Sequence, residues 1–273
     1  MASSVSREAL AKASEKLTAD TAKVTAAQLA TVADEILSVA ALLRAQPRLR
    51  RALTDPARSG ADRSGLVRSL LSGKLSEISV DTLATLASGR FSAGSELLDA
   101  TERLGVEALL DSGDRAGDLT DIEDELFRFG QIVAGSGELA VTLSDPGAPT
   151  SRRVKLVEDL LKGKAKPTTL RLAEVALEGF GGRSFEGSLT RLVELTAAKR
   201  DRQVAYVTVA KPLTDSEEQA LASKLSELYG RQVSLKIDVD PAIIGGVSVK
   251  VGSDLYDGTI LRRLNEAKQA FAK

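Results

Sequence analysis

The sequence Val233-Ser-Leu-Lys-Ile-Asp-Val-Asp-Pro-Ala-Ile-Ile-Gly-Gly-Val-Ser-Val-Lys-Val-Gly252 decides how the end of this chain folds. Apolar and polar residues alternate in two runs, which is the period of half-buried strands. The alternating residues are Val233, Leu235, Ile237 and Val239, then Val247, Val249 and Val251. Asp240-Pro241 ends the first run, because proline fixes φ and removes a hydrogen-bond donor. Gly245-Gly246 allows backbone conformations that other residues avoid, so the stretch predicts two strands joined by a turn.

The residues around this stretch complete a small domain. An earlier strand is predicted from Val204 to Val209, and Lys211-Pro212 ends it. Thr214 and Glu217 have the spacing of a capping box, and the following helix carries an apolar stripe of Leu221, Leu225 and Leu228. Gly230 is placed to end that helix. Asp257-Gly258 precedes a last predicted helix with Ile260, Leu264, Ala267 and Phe271 on one face. The order strand, helix, strand, strand, helix predicts an α+β domain.

The chain from Ser6 to about Asp201 has the pattern of helices joined by short polar turns. Thr25 and Gln28 fit a capping box, Pro47 suits the first turn of a short helix, and Ser79 is a candidate cap further on. A longer helix is predicted from about Ser92 to Leu110. After Thr25, apolar residues recur at helical spacing, at Leu29, Val32, Ala33, Ile36, Ala40 and Leu43. Alanine-rich helices with one apolar stripe must bury it against each other, so bundles are predicted.

An internal repeat organises these helices. The segment from Leu53 to Lys74 matches the segment from Leu143 to Lys164 without a gap, at a shift of 143 − 53 = 90 residues. Three shorter matches follow the same order: Ala13–Leu17 with Ala100–Leu104, Asp34–Ile36 with Asp124–Leu126, and Gly89–Ser95 with Gly182–Ser188. The sequence therefore predicts a mainly α chain of two tandem helical bundles and a small α+β C-terminal domain. The expected boundaries are 1–95, 96–202 and 203–273, and the helix near 92–110 closes the first bundle and opens the second.

The C-terminal stretch also resembles the signature of a known family. The signature residues are Asp240, Pro241, Gly245, Gly246, Gly252, Asp257 and Gly258. Their order and their place near the C-terminus are similar to those in the delta subunit of bacterial F-type ATP synthase, the counterpart of the mitochondrial oligomycin-sensitivity-conferring protein. From about Ser95 onward the chain resembles a complete ordinary delta subunit, and the part before it resembles an extra bundle. In this family the signature residues are architectural, not catalytic.

The resemblance implies a mechanical function. A delta subunit is a non-catalytic stator component, in which the N-terminal bundle binds the N-terminal helices of the alpha subunits of the catalytic head. The C-terminal domain binds the b-type peripheral stalk, so that proton-driven rotation is coupled to ATP synthesis. The resemblance further implies a peripheral position at the cytoplasmic face of the cell membrane, reached through the complex and without direct membrane insertion. No cofactor and no nucleic-acid partner are implied.

Composition excludes several classes of function. The chain has no Cys and no His, which excludes disulfides, thiolate nucleophiles, imidazole bases and zinc sites built on these residues. The net charge is −1 and 3% of residues are aromatic, which speaks against a nucleic-acid interface. No signal-peptide pattern and no apolar stretch near membrane-spanning length is recognised, so the expectation is a cytoplasmic protein.

Four local motifs have a structural and a functional interpretation. Gly73-Lys74 and Gly163-Lys164 lack the following Ser or Thr and the upstream glycine of a phosphate loop, so helix C-caps are predicted. The Gly179–Arg183 segment resembles a nucleotide loop only loosely, because no hydrophobic strand precedes it, and it fits a turn between two bundle helices. The acidic cluster of Asp118, Asp121, Glu123, Asp124 and Glu125 is interpreted as a helix N-terminus beginning at Thr120-x-x-Glu123, because the spacing of a calcium loop is absent. Two basic clusters, formed by Arg48, Arg50 and Arg51 and by Lys162, Lys164 and Lys166, fit solvated faces or contacts with an acidic partner.

Two other functions stay open on the sequence. A helical RNA-binding or antitermination-type adaptor would bind RNA strongly and in a salt-dependent way. An enzyme built on carboxylates and lysine would need a pocket of convergent ionisable groups with shifted pKa values.

Overall fold

The computed structural model describes residues 4–145, 147–200, 202–229, 232–241, 243, 245–251 and 254–258. Within them the chain divides into two compact units, one up to Leu189 and one from Thr190. The first unit is helical and the second contains a four-stranded sheet. The predicted class, mainly α with a small α+β C-terminal domain, is confirmed.

The helical unit opens with six helices in sequence. They are α1 (Ser4–Thr21), α2 (Ala26–Ala45), α3 (Pro47–Thr54), α4 (Gly60–Leu71), α5 (Glu77–Ser88) and α6 (Gly94–Ala116). The capping box of Thr25 and Gln28 is present at the start of α2, and Pro47 occupies the first turn of α3. Each of the six apolar residues predicted for the core side of α2, from Leu29 to Leu43, is buried.

The second series of helices repeats the first. Its members are α7 (Leu119–Ala134), α8 (Gly137–Ser144), α9 (Thr150–Leu161), α10 (Pro167–Leu177), a 3-10 turn (Phe180–Gly182) and α11 (Phe185–Lys199), which crosses the boundary between the units. The bounds of α3 shifted by 90 are those of α8 (47 + 90 = 137, 54 + 90 = 144). The bounds of α4 shifted by 90 are those of α9, and α5 shifted by 90 begins where α10 begins and ends one residue after it (77 + 90 = 167, 88 + 90 = 178). The helix order of the first series is therefore found again in the second.

Helix α2 departs from one expectation. Its 20 residues have a mean hydropathy of 1.5, so by length and composition alone α2 could cross a membrane. The statement that no stretch approaches membrane-spanning length was therefore wrong. In the structure α2 is a core helix, because eight of its residues are buried within the helical unit.

The N-caps of α5 and α7 are not the residues predicted from the sequence. The N-cap of α5 is Ser76, whose hydroxyl accepts from the backbone N–H of Ser79. Ser79 lies inside the helix with its side chain fully buried. Helix α7 begins at Leu119 after Asp118, so Thr120 is already helical and the capping box predicted there was wrong.

The second unit follows the predicted order up to the third strand. It contains β1 (Arg202–Val209), α12 (Asp215–Tyr229), β2 (Gln232–Val239), β3 (Val247–Val251) and a further strand, β4 (Asp254–Asp257). The sheet order is β2-β1-β3-β4. Strand β1 is central: it pairs in parallel with β2 and antiparallel with β3, and β4 pairs antiparallel with β3. Strand β4 was not predicted, because Asp257-Gly258 was interpreted only as the residues that precede a helix.

One face of the sheet holds the core of this unit. The buried residues of the core are Ala205, Val207, Val209, Leu225, Val233, Val249 and Val251. Helix α12 contributes Leu225 to this core and packs Leu221 against it, whereas Leu228, the third residue of the predicted apolar stripe, is 63% exposed. Gly230, Gly252 and the predicted last helix from Ile260 to Phe271 lie outside the described residues.

Candidate functional site

The same carboxylate contact occurs in both halves of the helical unit. Glu35 of α2 accepts from the backbone N–H of Ser76 at 3.1 Å and from the hydroxyl of Ser79 at 2.5 Å. Ninety residues later, Glu125 of α7 accepts from the backbone N–H of Lys166 at 2.9 Å and from the hydroxyl of Thr169 at 2.5 Å. Each glutamate thus binds donors at the start of a helix, α5 in one case and α10 in the other, where backbone N–H groups lack helical partners.

A pair of equivalent arginines closes the other end of these helices. Arg63 of α4 is 4% exposed, and its guanidinium donates to the carbonyls of Ala87 (3.0 Å), Ser88 (3.1 Å) and Gly89 (2.9 Å). It also donates to two carbonyls in the α3–α4 connection, those of Asp55 and Arg58. Arg153 of α9 donates to the carbonyls of Leu143 at 3.2 Å and Leu177 at 3.1 Å, and to the hydroxyl of Thr150 at 3.3 Å.

The glycines that suggested phosphate loops lie in matched turns. Gly73 follows α4 with φ of +75°, and Gly163 follows α9 with φ of +74°. The next backbone N–H, of Lys74 or Lys164, donates to the carbonyl of Leu71 or Leu161. A left-handed glycine of this kind is typical of a helix C-terminus.

The two halves meet in a charged seam between α2, α6 and α10. Arg44 of α2 pairs with Glu102 of α6 and, at 2.7 Å, with Glu178 at the end of α10. Arg171 of α10 pairs with Asp34 of α2 at 2.7 Å. These ion pairs border a cavity of about 210 Å³. Because Arg44 and Arg171 each reach from one half to the other, we call this group the Arg44–Arg171 seam.

Glu102 is the buried carboxylate of the seam. Glu102 is 3% exposed, and its carboxylate also accepts a hydrogen bond from the backbone N–H of Gly181 in the glycine-rich turn, at 3.0 Å. Burial raises the pKa of the Glu102 carboxyl, while the Gly181 N–H and the Arg44 guanidinium act in the opposite direction. In this turn Gly179, Gly181 and Gly182 have φ of +77°, +61° and +72°, and the Gly179–Arg183 segment lies between α10 and α11 as predicted.

The acidic cluster has structural contacts rather than the arrangement of a metal site. Asp118 and Asp121 pair with Lys166 at 2.8 and 3.2 Å, and hydrogen bonds from these two carboxylates raise the pKa of the lysine. Glu125 binds the start of α10, as described above, and Glu123 is fully buried. Among the described residues, no group of three or more acidic side chains is arranged to hold a metal ion.

The described signature residues converge at one end of the sheet. The backbone N–H of Asp240 donates to the carbonyl of Val209 at 2.9 Å, and that of Gly258 donates to the carbonyl of Val247 at 2.9 Å. Val209 is the β1 residue that faces Val247 of β3, so both bonds close the same sheet end.

The turn that connects β2 to β3 needs its glycines. Ile243 donates to the carbonyl of Asp240 at 3.1 Å, next to Pro241. Gly245 and Gly246 then have φ of +134° and +90°, which L-residues with a side chain rarely adopt. Asp257 lies in β4 opposite Ser248. The backbone hydrogen bonds around these residues are those of a connection between strands.

Comparison with known proteins gives a consistent result. The family model described as ATP synthase delta (OSCP) subunit matches residues 106–271. The chain is 60% identical over 273 residues to "ATP synthase subunit delta" of Salinispora arenicola, with 100% of both chains covered. It is 45% identical over 271 residues to the protein of the same name from Streptomyces griseus, covering 98% of this chain and 99% of that one.

These relatives share the full length of the chain, including the helices that precede the residues matched by the family model. The equivalent glutamate and arginine contacts, the charged seam and the glycine turn of the C-terminal sheet are therefore features of a chain that belongs to the ATP synthase delta (OSCP) subunit family.

Proposed function

We propose that this non-catalytic stator component of ATP synthase connects the alpha subunits of the catalytic head to the b-type peripheral stalk. The helical unit contacts the head, and the C-terminal domain contacts the stalk. The chain is thereby held at the cytoplasmic face of the cell membrane through the complex, without inserting into the bilayer. The connection keeps the head from turning with the rotor, so that proton-driven rotation is coupled to ATP synthesis.

One observation carries the proposal: the chain consists of two compact units of different architecture. A connector needs two attachment surfaces, and separate units can supply them independently. The C-terminal unit also exposes apolar side chains in its described part, with Leu228 and Leu255 each 63% exposed. We take these two residues as the contact positions to be tested in the C-terminal unit.

Purification of the native assembly tests the proposal. A tagged full-length chain should co-migrate with the ATP-hydrolysing head and with the stalk subunit. Leu228→Asp should lose the stalk subunit and keep the head, because a charge at this exposed position disturbs a contact more than the fold. Ile132→Asp, at a residue 58% exposed in the helical unit, is the matched control and should keep the stalk. A wild-type chain that migrates apart from the head contradicts the proposal.

We further propose that the helical unit arose by duplication, with a first bundle in residues 1–95, a second in 96–202 and the C-terminal domain in 203–273. The equal helix bounds at a shift of 90 and the equivalent contacts of Glu35 and Glu125 support this division. Superposing residues 6–110 on residues 96–200 should pair the helices one to one.

An exchange of equivalent residues tests the duplication. Ser79→Thr and Thr169→Ser give each site the hydroxyl of the other, and each should change stability by less than about 1 kcal/mol. Ser79→Ala and Thr169→Ala remove the hydroxyl and should cost about 1–2 kcal/mol, measured by urea unfolding. Exchanges that cost as much as the alanine variants would show that the two sites are not equivalent.

A further inference from the structure

The turn between α10 and α11 is longer than its counterpart between α5 and α6. Gly89 and Gly179 are equivalent at the shift of 90 residues, and their backbone N–H groups donate to the equivalent carbonyls of Leu86 (3.1 Å) and Ala176 (3.0 Å). After this position the two halves match at a shift of 93 residues, so the second turn has three additional residues (93 − 90 = 3). They form the 3-10 turn Phe180–Gly182. We call the segment Gly179–Arg183 the Gly181 turn.

Different side chains hold the two turns. In the α5–α6 turn, the guanidinium of Arg63 donates to the carbonyls of Ser88 and Gly89. The equivalent Arg153 donates to the carbonyl of Leu177, which lies before the additional residues. In the Gly181 turn, one of the additional N–H groups donates to the carboxylate of Glu102 in α6. A guanidinium keeps its charge at any physiological pH, whereas a carboxylate can take up a proton. The two turns are therefore held by groups that differ in their response to pH.

Glu102 is buried at a site where negative charges outnumber positive ones. Its cationic partner Arg44 is shared with Glu178, and Asp99 lies three residues before Glu102 on the same side of α6. Burial raises the pKa of Glu102, the charges of Asp99 and Glu178 add to this increase, and the Gly181 N–H and Arg44 oppose it. The other charged side chains that line the adjoining cavity or act on Asp99 are Asp34, Glu96, Arg171, Glu174 and Arg183.

We propose that the Gly181 turn is a pH-sensitive switch, which is closed onto α6 while Glu102 is neutral and loosens when Glu102 ionises. A neutral carboxyl keeps an oxygen that accepts from the Gly181 N–H, and it costs less to bury than a carboxylate beside two other carboxylates. Loosening of the turn returns the ionised group to water, which relieves that cost. The α5–α6 turn, held by Arg63, does not respond. The Gly181 turn directly precedes α11, the helix that crosses into the C-terminal unit, and the inference does not depend on which subunits the chain connects.

Hydrogen–deuterium exchange of the full-length chain, followed by mass spectrometry, measures both turns in the same molecule. Exchange is recorded from about pH 5 to about pH 8 and is corrected for the intrinsic exchange rate at each pH, which gives the protection of peptides covering 178–184 and 88–93. The ratio of the two protections removes changes that affect the whole helical unit. Circular dichroism of each variant at each pH checks that its helices stay folded.

In the wild type, the protection of the Gly181 turn relative to the α5–α6 turn should fall by about threefold or more as the pH rises, because ionisation of Glu102 favours the open turn. Glu102→Gln should keep this ratio constant, because its amide is neutral at every pH and retains an acceptor oxygen. Glu178→Gln removes a neighbouring negative charge at an exposed residue, so the fall should move to lower pH.

Glu15→Gln is the matched control. Glu15 corresponds to Glu102 in the match of Ala13–Leu17 with Ala100–Leu104, but it is exposed. Because an exposed carboxylate is already solvated in the folded chain, this variant should keep the pH response of the wild type.

Several results would overturn the proposal. One is a ratio that stays constant or rises with pH in the wild type. Another is a fall that persists in Glu102→Gln, or one that disappears in Glu15→Gln. A loss of protection throughout the helical unit at the same pH would assign the effect to global stability instead of the turn. If Glu102→Gln does not fold, Glu178→Gln decides the question, and a fall at unchanged pH in that variant contradicts the proposal.

Discussion

Arg63→Ala is expected to destabilise the helical unit by about 3–5 kcal/mol, and the equivalent change Arg153→Ala by about 1–3 kcal/mol. The difference follows from the contacts of the two guanidinium groups. Arg63 is 4% exposed and donates to five backbone carbonyls, three of them at the end of α5. Arg153 donates to two carbonyls and one hydroxyl.

The expected stability cost of Arg63→Ala is smaller than the sum of the contributions of its five hydrogen bonds. A hydrogen bond to a charged group contributes about 1.5–3 kcal/mol net, so five of them give an upper limit that exceeds the whole stability of many domains. Removing the side chain of Arg63 also opens a path for water to the carbonyls of Ser88 and Gly89, which recovers part of the loss. The lower range of about 3–5 kcal/mol is therefore the expected cost.

Urea unfolding of the full-length chain, followed by far-UV circular dichroism, measures both variants. Arg63→Lys is the informative control, because an ammonium group keeps the charge but cannot reach several carbonyls as a guanidinium does. It should remain closer in stability to Arg63→Ala than to the wild type. Equal losses for Arg63→Ala and Arg153→Ala, or a fully stable Arg63→Lys, would refute the argument that the number of carbonyl contacts sets the cost.

Three further predictions concern single residues in the helical unit, and the same urea assay measures them. Gly73→Ala should cost about 1–3 kcal/mol because its φ is +75°, whereas Gly65→Ala within α4, where an added Cβ meets no atom within 4 Å, should gain about 0.5–1 kcal/mol; a gain at both positions would contradict this. Glu35→Ala should cost about 2–3 kcal/mol, since it leaves the fully buried Ser79 hydroxyl without its acceptor, and a cost below about 0.5 kcal/mol would contradict it. Burial raises the pKa of Glu102, so the folded chain holds this proton over a pH range in which the unfolded chain has released it, and the ionised carboxylate lowers stability above that range. The stability of Glu102→Gln relative to the wild type should therefore be higher near neutral pH than at about pH 5. A stability difference that does not change with pH would contradict the assignment.

Local patterns predicted much of the fold. The capping box at Thr25, the helix-starting Pro47 and the alternation from Val247 to Val251 each specify backbone geometry within a few residues. The alternative at α5 shows the limit of such reasoning. Ser76 and Ser79 both suit a cap, and both hydroxyls donate to the carboxylate of Glu35, 41 residues before Ser76, a contact that no local pattern indicates.

Contacts distant in sequence could not be predicted in this way. The repeat placed Glu35 and Glu125 at equivalent positions, but it did not indicate that both bind the start of another helix. The pair of Arg44 and Glu178 joins residues 134 apart, and its formation depends on how the two halves pack. Strand β4 was missed for a related reason: its four residues carry little alternation, and pairing with β3 defines it.

Helix α6 explains how two repeats can act as one rigid element. It ends the first series and precedes the second, and its glycines allow close approach on each side. A Cβ at Gly105 would lie 2.6 Å from the side chain of Leu37 in α2, and one at Gly113 would lie 2.5 Å from that of Ile122 in α7. Such contacts leave no room for one half to slide along the helix. The Arg44–Arg171 seam adds ion pairs between α2 and α10. A connector that must resist torque benefits from this arrangement, because a flexible linker between the repeats would yield before it transmitted force. The proposed duplication is thus accompanied by close contacts of α6 with α2 and α7.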